Sequence, residues 1–375
     1  MSLDFRFAII SDLHIALPHT VWEHPNRVHL VEISIPALEV ILDRLSQLKL
    51  DFLLLPGDLT QHGEPENHAW LADRLAKLPY PAYVIPGNHD LPQTLGDAAA
   101  IAPEDFPHYY RAFGYQDSHQ LYYTQALLPG VRLIGLNSIE FDSSGKQVGR
   151  LDTLQLEWLK AILAAFPDDL KLVMIHHNIV EHLPNQARHP LAKRYFLQNA
   201  AELRTTLQQG GVQLVFTGHL HVQDVAYHDG LYDITTGSLI SYPHPYRLLH
   251  YSVNSHQQHY LTIHSERVTS VPGWQELPQV SRDRLALQSP PFLRQLLTHS
   301  PLSLSADEAE ALIPDLRNFW SDIASGDAIF HFPHFPTTVR EYFERYSAIT
   351  PEGHLELIDN HTTLLLNNTL QTYPL

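Results

Sequence analysis

Ala82-Tyr83-Val84-Ile85-Pro86-Gly87-Asn88-His89-Asp90 joins an apolar run to a Pro-Gly turn, then sets an amide, an imidazole and a carboxylate in consecutive positions. A short apolar run bounded by Pro and Gly reads as a buried strand, and open α/β sheets keep their sites just beyond strand C-termini. Alone, the tip also has a plain reading: Asn tolerates positive φ in a turn and Asp caps the next segment. The segments on either side decide between the two.

Two earlier runs share the format. Phe5 to Ile10 is apolar and of strand length and ends in Ser11-Asp12-Leu13-His14, while Phe52-Leu53-Leu54-Leu55 ends in Pro56-Gly57-Asp58-Leu59-Thr60. Between them Leu38, Ile41, Leu42, Leu45 and Leu48 recur at helical spacing, which predicts an amphipathic helix over 35–50, and a second helix is expected over 64–78. Strand–helix–strand–helix–strand order implies parallel pairing through right-handed crossovers. The three polar tips are therefore expected on one edge of one sheet.

Downstream, 121–124 and 131–136 predict an antiparallel hairpin around Leu128-Pro129-Gly130. Helices over 153–165 and 200–209 precede two more apolar runs. One, 172–175, ends in His176-His177-Asn178; the other, 212–216, ends in Thr217-Gly218-His219-Leu220-His221. Short strands are expected at 232–234, 248–253 and 260–263. From about Ser281 helical spacing returns, in 292–297, 306–323 and 339–346. Residues 1–280 are thus read as an α/β main domain and 281–375 as a mostly helical C-terminal extension, with packing, a lid or a dimer interface as its open roles.

The composition bounds the function. The 375 residues are 44% hydrophobic and 17% charged, as in an ordinary soluble globular protein. A net charge of −17 with only 24 Lys and Arg argues against a nucleic-acid partner, whose phosphates are gripped by those side chains. The chain has no cysteine, which excludes disulfides and thiolate metal sites. No apolar run approaches the ~18 residues of a membrane span, and the start Met1 to Ile10, with Asp4, is unlike a secretion signal. A cytoplasmic protein is expected. Most of the 26 histidines cannot be ligands; His19, His24, His29, His182, His244 and His256 lie in polar surroundings and are expected at the surface.

The strand ends carry nitrogen and oxygen donors: Asp12 with His14, Asp58, Asn88, His176 or His177, and His219 with His221. Each alone is explained by a cap or an Asx-turn; the same format at every tip points to a common centre. Asp-x-His and His-x-His spacing sets both side chains on the same side of an extended chain. Carboxylate, imidazole and amide donors without thiolate suit Mn, Fe or Zn without choosing among them. The donors exceed what one tetrahedral ion accepts. Two divalent or mixed-valence ions sharing a carboxylate fit better, and such a pair, about 3.5–4 Å apart, clamps an in-line displacement at phosphorus.

In this order and spacing, Asp12-Leu13-His14, Gly57-Asp58, Gly87-Asn88-His89-Asp90, His176 and Gly218-His219-Leu220-His221 resemble the signature blocks of the calcineurin-like metallophosphoesterase superfamily. The resemblance spans roughly residues 5–265, and Gly57-Asp58-Leu59-Thr60 with the doubled His176-His177 is most similar to the class III cyclic-nucleotide phosphodiesterase branch. It implies a four-layer α-β-β-α sandwich with two mixed sheets and a dinuclear site at their edge. Asp58 would bridge the ions, with Asp12, His14 and His221 on the first and Asn88, His176 and His219 on the second. His177 would stand behind the ligands, and His89 would face the substrate and protonate the leaving group.

Two departures qualify the pattern. Gln61 stands where related sequences commonly carry an Asp that supports this histidine, which leaves Asp90 as the candidate support for His89. Asn178-Ile179 replaces the prolines common after the doubled histidine, so a different substrate rim is expected. The implied chemistry is attack by metal-bound hydroxide on a small phosphodiester such as a cyclic nucleotide, with no membrane partner and with homo-oligomerisation open. Phosphomonoester hydrolysis, nucleotide pyrophosphate hydrolysis and a non-catalytic binding role are the competing readings.

Overall fold

A computed structural model describes residues 3–22, 24, 27–350 and 352–367. β1 (Asp4–Ile9), β2 (Phe52–Leu55) and β3 (Ala82–Val84) lie side by side and parallel, joined by α1 (Ser34–Ser46) and α2 (Pro65–Leu75). Every residue of β2 is buried, as expected of a strand covered on both faces. The order anticipated from the apolar runs is therefore the observed one, with α1 ending before the expected Leu50.

After α3 (Phe106–Tyr109) come the antiparallel pair β4 (Tyr123–Leu128) and β5 (Val131–Gly135) and the small hairpin β6 (Ile139–Phe141) and β7 (Gln147–Gly149). α4 (Thr153–Ala165), β8 (Leu170–Met174), α5 (Ala200–Gln209) and β9 (Leu214–Thr217) follow, then β10 (Asp224–His228), β11 (Leu231–Thr235), β12 (Pro245–Val253) and β13 (His259–Arg267). α6 (Leu277–Gln288), α7 (Pro290–Thr298), α8 (Ala306–Leu316), α9 (Phe319–Ser325), α10 (Thr337–Glu344) and β14 (His361–Leu366) complete the chain.

These strands form two mixed six-stranded sheets, ordered β14-β13-β12-β1-β2-β3 and β10-β11-β9-β8-β5-β4. The sheets pack face to face: Phe7 of β1 meets Phe216 of β9 edge-on at 5.5 Å between ring centroids. Side-chain alternation assigns the second sheet's two faces. Leu133, Leu172, Met174, Leu214 and Phe216 enter the core between the sheets, while Ile134, Val173 and Val215 pack with Leu159 of α4 and Leu203 of α5. With α1 and α2 outside the first sheet, the result is the four-layer sandwich.

The C-terminal part is helical, but differs from expectation in detail. Its first helix begins at Leu277. The single helix expected over 306–323 is α8 and α9, with Pro314 inside α8; proline lacks the helical N–H and crowds the preceding turn, so the helix ends soon after it. β14 was not anticipated. It pairs antiparallel with β13 and forms the edge of the first sheet.

Of the histidines expected at the surface, His29 is half-buried and His182 and His244 lie inside. His244 is bonded to the Leu239 carbonyl at 2.9 Å and burial lowers its pKa to about 4. The His182 ring is enclosed with Nδ1 2.6 Å from Asp224 Oδ2 and Nε2 3.3 Å from Asp233 Oδ1. Burial opposes its charge, yet Asp233 and Asp224 outweigh that and raise it to about 10.

His182→Leu should lower stability by about 3–5 kcal/mol near neutral pH, since it strips the counter-charge from buried Asp233 and from half-buried Asp224. The raised pKa makes the stabilisation complete below the ordinary value of 6.5 and removes it as pH climbs through about 10. Urea unfolding of both proteins at about pH 6, 8 and 10 should show the difference shrinking toward the alkaline end. A pH-independent difference would contradict the buried ion triad.

Candidate metal centre

The loops leaving β1 and β2 are zipped together. Asp12 N–H donates to the Gly57 carbonyl (3.2 Å), His14 N–H to the Asp58 carbonyl (2.9 Å) and Ile15 N–H to the Leu59 carbonyl (2.9 Å). The loops leaving β8 and β9 are joined by Gly218 N–H to the His176 carbonyl at 3.2 Å. Parallel neighbours thus deliver their tips to one edge of each sheet, and the packed sheets bring the two edges together.

The chain between tips is not extended, as the alternate spacing had suggested. Asp12, His14, Asp58, His219 and His221 have φ of 50°, 43°, 50°, 67° and 59°. Left-handed backbone at residues other than glycine costs on the order of 1–3 kcal/mol each and clusters at functional sites. Alternation survives in this form: Leu13 and Leu220 point into the core while the residues flanking them point at the centre. Glycine is required where loops touch. A β-carbon at Gly87 would overlap the Asp58 amide and carboxylate, and one at Gly218 would overlap the Ser11 hydroxyl.

Two groups of ligand atoms result. Asp12, His14, Asp58 and His221 offer atoms all within 4.8 Å of one another, as do Asp58, His176 and His219, so Asp58 belongs to both. Within them His221 Nε2 lies 3.2 Å from Asp12 Oδ1, His14 Nε2 3.6 Å from Asp58 Oδ2 and His176 Nε2 3.4 Å from Asp58 Oδ1. Asn88 Oδ1 approaches His176 Nε2 to 3.2 Å and so joins the second group.

The residues fit a divalent cation. His14 Nε2 is buried with no hydrogen-bond partner, a cost that a ligand on that nitrogen would remove. The rings are oriented from behind, as metal-ligating histidines are: His176 Nδ1–H donates to the Pro56 carbonyl at 2.8 Å, leaving Nε2, and His219 Nε2–H donates to the Arg194 carbonyl at 3.3 Å, leaving Nδ1. Asp12 accepts from the Ser11 hydroxyl (2.5 Å) and the His219 amide (3.1 Å), and Asp58 accepts from the His89 amide (2.8 Å).

Burial and the neighbouring imidazoles hold His14 and His219 well below the ordinary histidine value, in the neutral form a metal requires. His176 is the exception, because burial opposes its charge but Asp58 raises it to about 9. Burial likewise disfavours ionised Asp58, and His176 and His89 still hold it well below its ordinary value. A cation between them would take the place of the His176 proton.

The remaining expected residues divide. His89 is half-buried beside the centre, its ring 4.6 Å from that of His14, with Nδ1 2.7 Å from the Gln61 carbonyl. Asp90, expected to support it, faces elsewhere. Its carboxylate accepts from the amides of Leu59 (3.0 Å), Thr60 (2.8 Å) and Gly87 (2.8 Å) and from the Thr60 hydroxyl (3.0 Å). Asp90 is therefore the tie between the β2 and β3 loops; the partner of the His89 ring is the Gln61 carbonyl. His177 is buried behind His219 at 4.4 Å between rings, paired with Ser138 Oγ at 2.8 Å, and burial lowers it to about 3.

Sequence reasoning missed several contributors. Gln147 of β7 donates to the carbonyls of Asn88 (2.7 Å) and Leu91 (2.8 Å) and so holds the Asn88 loop. His62 stacks on His89 at 5.3 Å, and His29, bonded to Ser241, lies 4.8 Å from the His221 ring. No motif marks them, since each arrives from a loop or hairpin whose position only the assembled sheets define.

Above the centre opens a cavity of about 570 Å³ whose lining includes Asp58, Asn88, His89, His219 and His221. Among the described residues no helix is long and apolar enough to cross a membrane.

The family model for calcineurin-like phosphoesterases matches residues 5–223. Among curated relatives, a probable glycerophosphodiester phosphodiesterase, GpdQ, of Arcobacter nitrofigilis is 33% identical over 129 residues, covering 34% of this chain and 42% of that one. The 3',5'-cyclic adenosine monophosphate phosphodiesterase CpdA of Escherichia coli K12 is 29% identical over 183 residues, covering 48% and 57%. The chain thus spans about half the length of these relatives. A solved dimetal phosphatase from Danio rerio shares the fold with a TM-score of 0.51 at 14% identity, over 70% of this chain and 96% of the other. The family match extends over more than half of the 375 residues and runs from β1 past His221, through every strand tip of the centre: the chain belongs to the calcineurin-like phosphoesterase family.

Proposed function

We propose that the chain is a metal-dependent phosphodiesterase acting on a small diester, with a cyclic nucleotide as the substrate that the relatives' names suggest. The observation that carries this is the pair of ligand groups sharing Asp58. Asp12, His14, Asp58 and His221 would hold one ion, and Asp58, Asn88, His176 and His219 the other. Two such cations supply Lewis-acid charge for phosphate oxygens and an activated water. We assign this chemistry to residues 1–280.

The side chains supply position and a proton. Asp58, fixed by the His89 amide, keeps both groups in register. His89 lines the cavity, and its Nδ1–H donates to the Gln61 carbonyl, which leaves Nε2 facing the substrate. A protonated Nε2 in that position donates to the departing ester oxygen; the neutral ring can take a proton back. His177, paired with Ser138, backs the His219 ring and does not reach the substrate.

Chelation should abolish activity, and reconstitution with Mn, Fe or Zn should restore hydrolysis of bis-aryl or cyclic diesters above that of an aryl monoester. A monoester turned over much faster than any diester would reassign the protein to monoesterases. Stoichiometric metal without hydrolysis of any phosphoester would point to a binding module.

Asn88→Ala should release about half of the bound metal, because it removes a donor of one group only. His89→Ala should leave metal content intact and lower kcat by about 10²–10⁴-fold, the usual worth of a general acid. Elemental analysis alongside turnover separates the roles; equal metal loss in both variants would show that they are not separate.

A further inference from the structure

The cavity over the metal centre has two unlike halves. Its floor is the polar centre. Its far wall is built by the C-terminal helices: Leu285 of α6, Phe292 and Leu296 of α7, and Phe319 and Trp320 of α9, joined by Leu183. Phe319 and Leu296 are nearly inaccessible yet line the opening, so the wall is core surface turned toward the site. About 570 Å³ is far more than a phosphate group needs and is the size of a pocket for a whole organic molecule.

Several polar groups on the rim are already engaged. Ser241 is bonded to His29, and Tyr195 to Arg194, whose guanidinium also lies 4.6 Å over the Tyr195 ring. His189 is bonded to the Tyr342 hydroxyl at 3.3 Å. An arm rich in nitrogen and oxygen would lose water against the apolar wall of Leu183, Leu285, Phe292, Leu296 and Phe319 without gaining partners, at about 1–3 kcal/mol for each unpaired group. A methylene buried on the same wall gains about 0.8 kcal/mol.

We propose that the natural substrate is a phosphodiester with one extended apolar arm, alkyl or aryl, seated against the wall formed by α6, α7 and α9 while its phosphate sits at the metal centre. The inference rests on the phosphodiesterase reading and departs from the cyclic nucleotide that the relatives' names suggest. The wall selects the arm; the centre performs the cleavage.

The test is a chain-length series on the manganese-loaded full chain, in two parts. Methyl- to octylphosphonate, which are not hydrolysed, are titrated calorimetrically. Alkyl p-nitrophenyl phosphodiesters over the same range, with cyclic AMP beside them, are assayed for kcat/KM. Affinity and kcat/KM should each rise about fourfold per buried methylene until the wall is covered. Leu285→Ala and Trp320→Ala, at partly exposed positions where folding is spared, should each lower octylphosphonate affinity about tenfold and flatten the series.

Affinity independent of chain length, or cyclic AMP turned over better than the octyl diester, would overturn the apolar arm. Diester hydrolysis with a flat series would leave the phosphodiesterase reading standing without it. A steep phosphonate series with no diester cleaved would do the reverse, keeping the arm and removing the reading.

Discussion

Asp58 is the constraint on which the architecture turns. One carboxylate at the tip of β2 belongs to both ligand groups, so the first sheet's tips and the second sheet's tips must meet at a single side chain. That fixes how far the sheets slide on one another and which residues of the loops can be large. It also explains the concentration of left-handed backbone: side chains from adjacent parallel strands reach a common point only if the chain turns sharply after each strand. Five such residues cost on the order of 5–15 kcal/mol together, offset by the backbone hydrogen bonds that zip the β1 and β2 loops and by the core between the sheets.

The β3 tip shows how adjacent polar residues are given different work. Asn88, His89 and Asp90 follow one another, yet Asn88 faces His176, His89 faces the cavity, and Asp90 turns inward to hold the amides of Leu59, Thr60 and Gly87. Burial raises Asp90 to about 7, with Asp58 adding to the effect and the amide donors resisting it. A carboxylate so enclosed is a poor partner for a mobile proton and a good clamp for two loops. The peptide carbonyl of Gln61 orients His89 instead. A carbonyl fixes the ring tautomer as a carboxylate would, but without adding a negative charge to the cavity.

How far the sequence could be read depends on the burial of each strand. β2 and β9 are covered along their whole length and β1, β3 and β8 at the ends nearest the centre, so each appears as an apolar run, and each polar tip stands out against it. β6, β7, β10 and β14 are short or lie at edges; His361-Thr362-Thr363-Leu364-Leu365-Leu366 buries only some of its residues. His182 was misplaced for a related reason. Its polar sequence neighbours say nothing of Asp224 and Asp233, which reach it only through the fold. The candidate ligands lie on tips and are legible there, whereas Gln147, Ser138, His29 and His62, which pack around them, come from segments whose proximity is tertiary.

The C-terminal helices also owe their place to the sheet. They leave the chain after β13 and return as β14, the neighbour of β13, so the wall they form is anchored at both ends of the segment. The return is locked by reciprocal bonds: Asp327 accepts from the amides of Asp359 (3.0 Å) and Asn360 (3.2 Å), and Asp359 accepts from the Asp327 amide (2.6 Å). Buried Arg247 of β12 donates to the carbonyls of Asp359 (2.5 Å) and Thr235 (2.7 Å), joining that lock to both sheets. The Gln223 amide, two residues past His221, donates to the Ala324 carbonyl of α9 at 3.1 Å. A wall held this way cannot swing clear of the centre without unpairing the edge of the first sheet. The wall of the cavity is therefore continuous with the sheet that carries the β1, β2 and β3 tips.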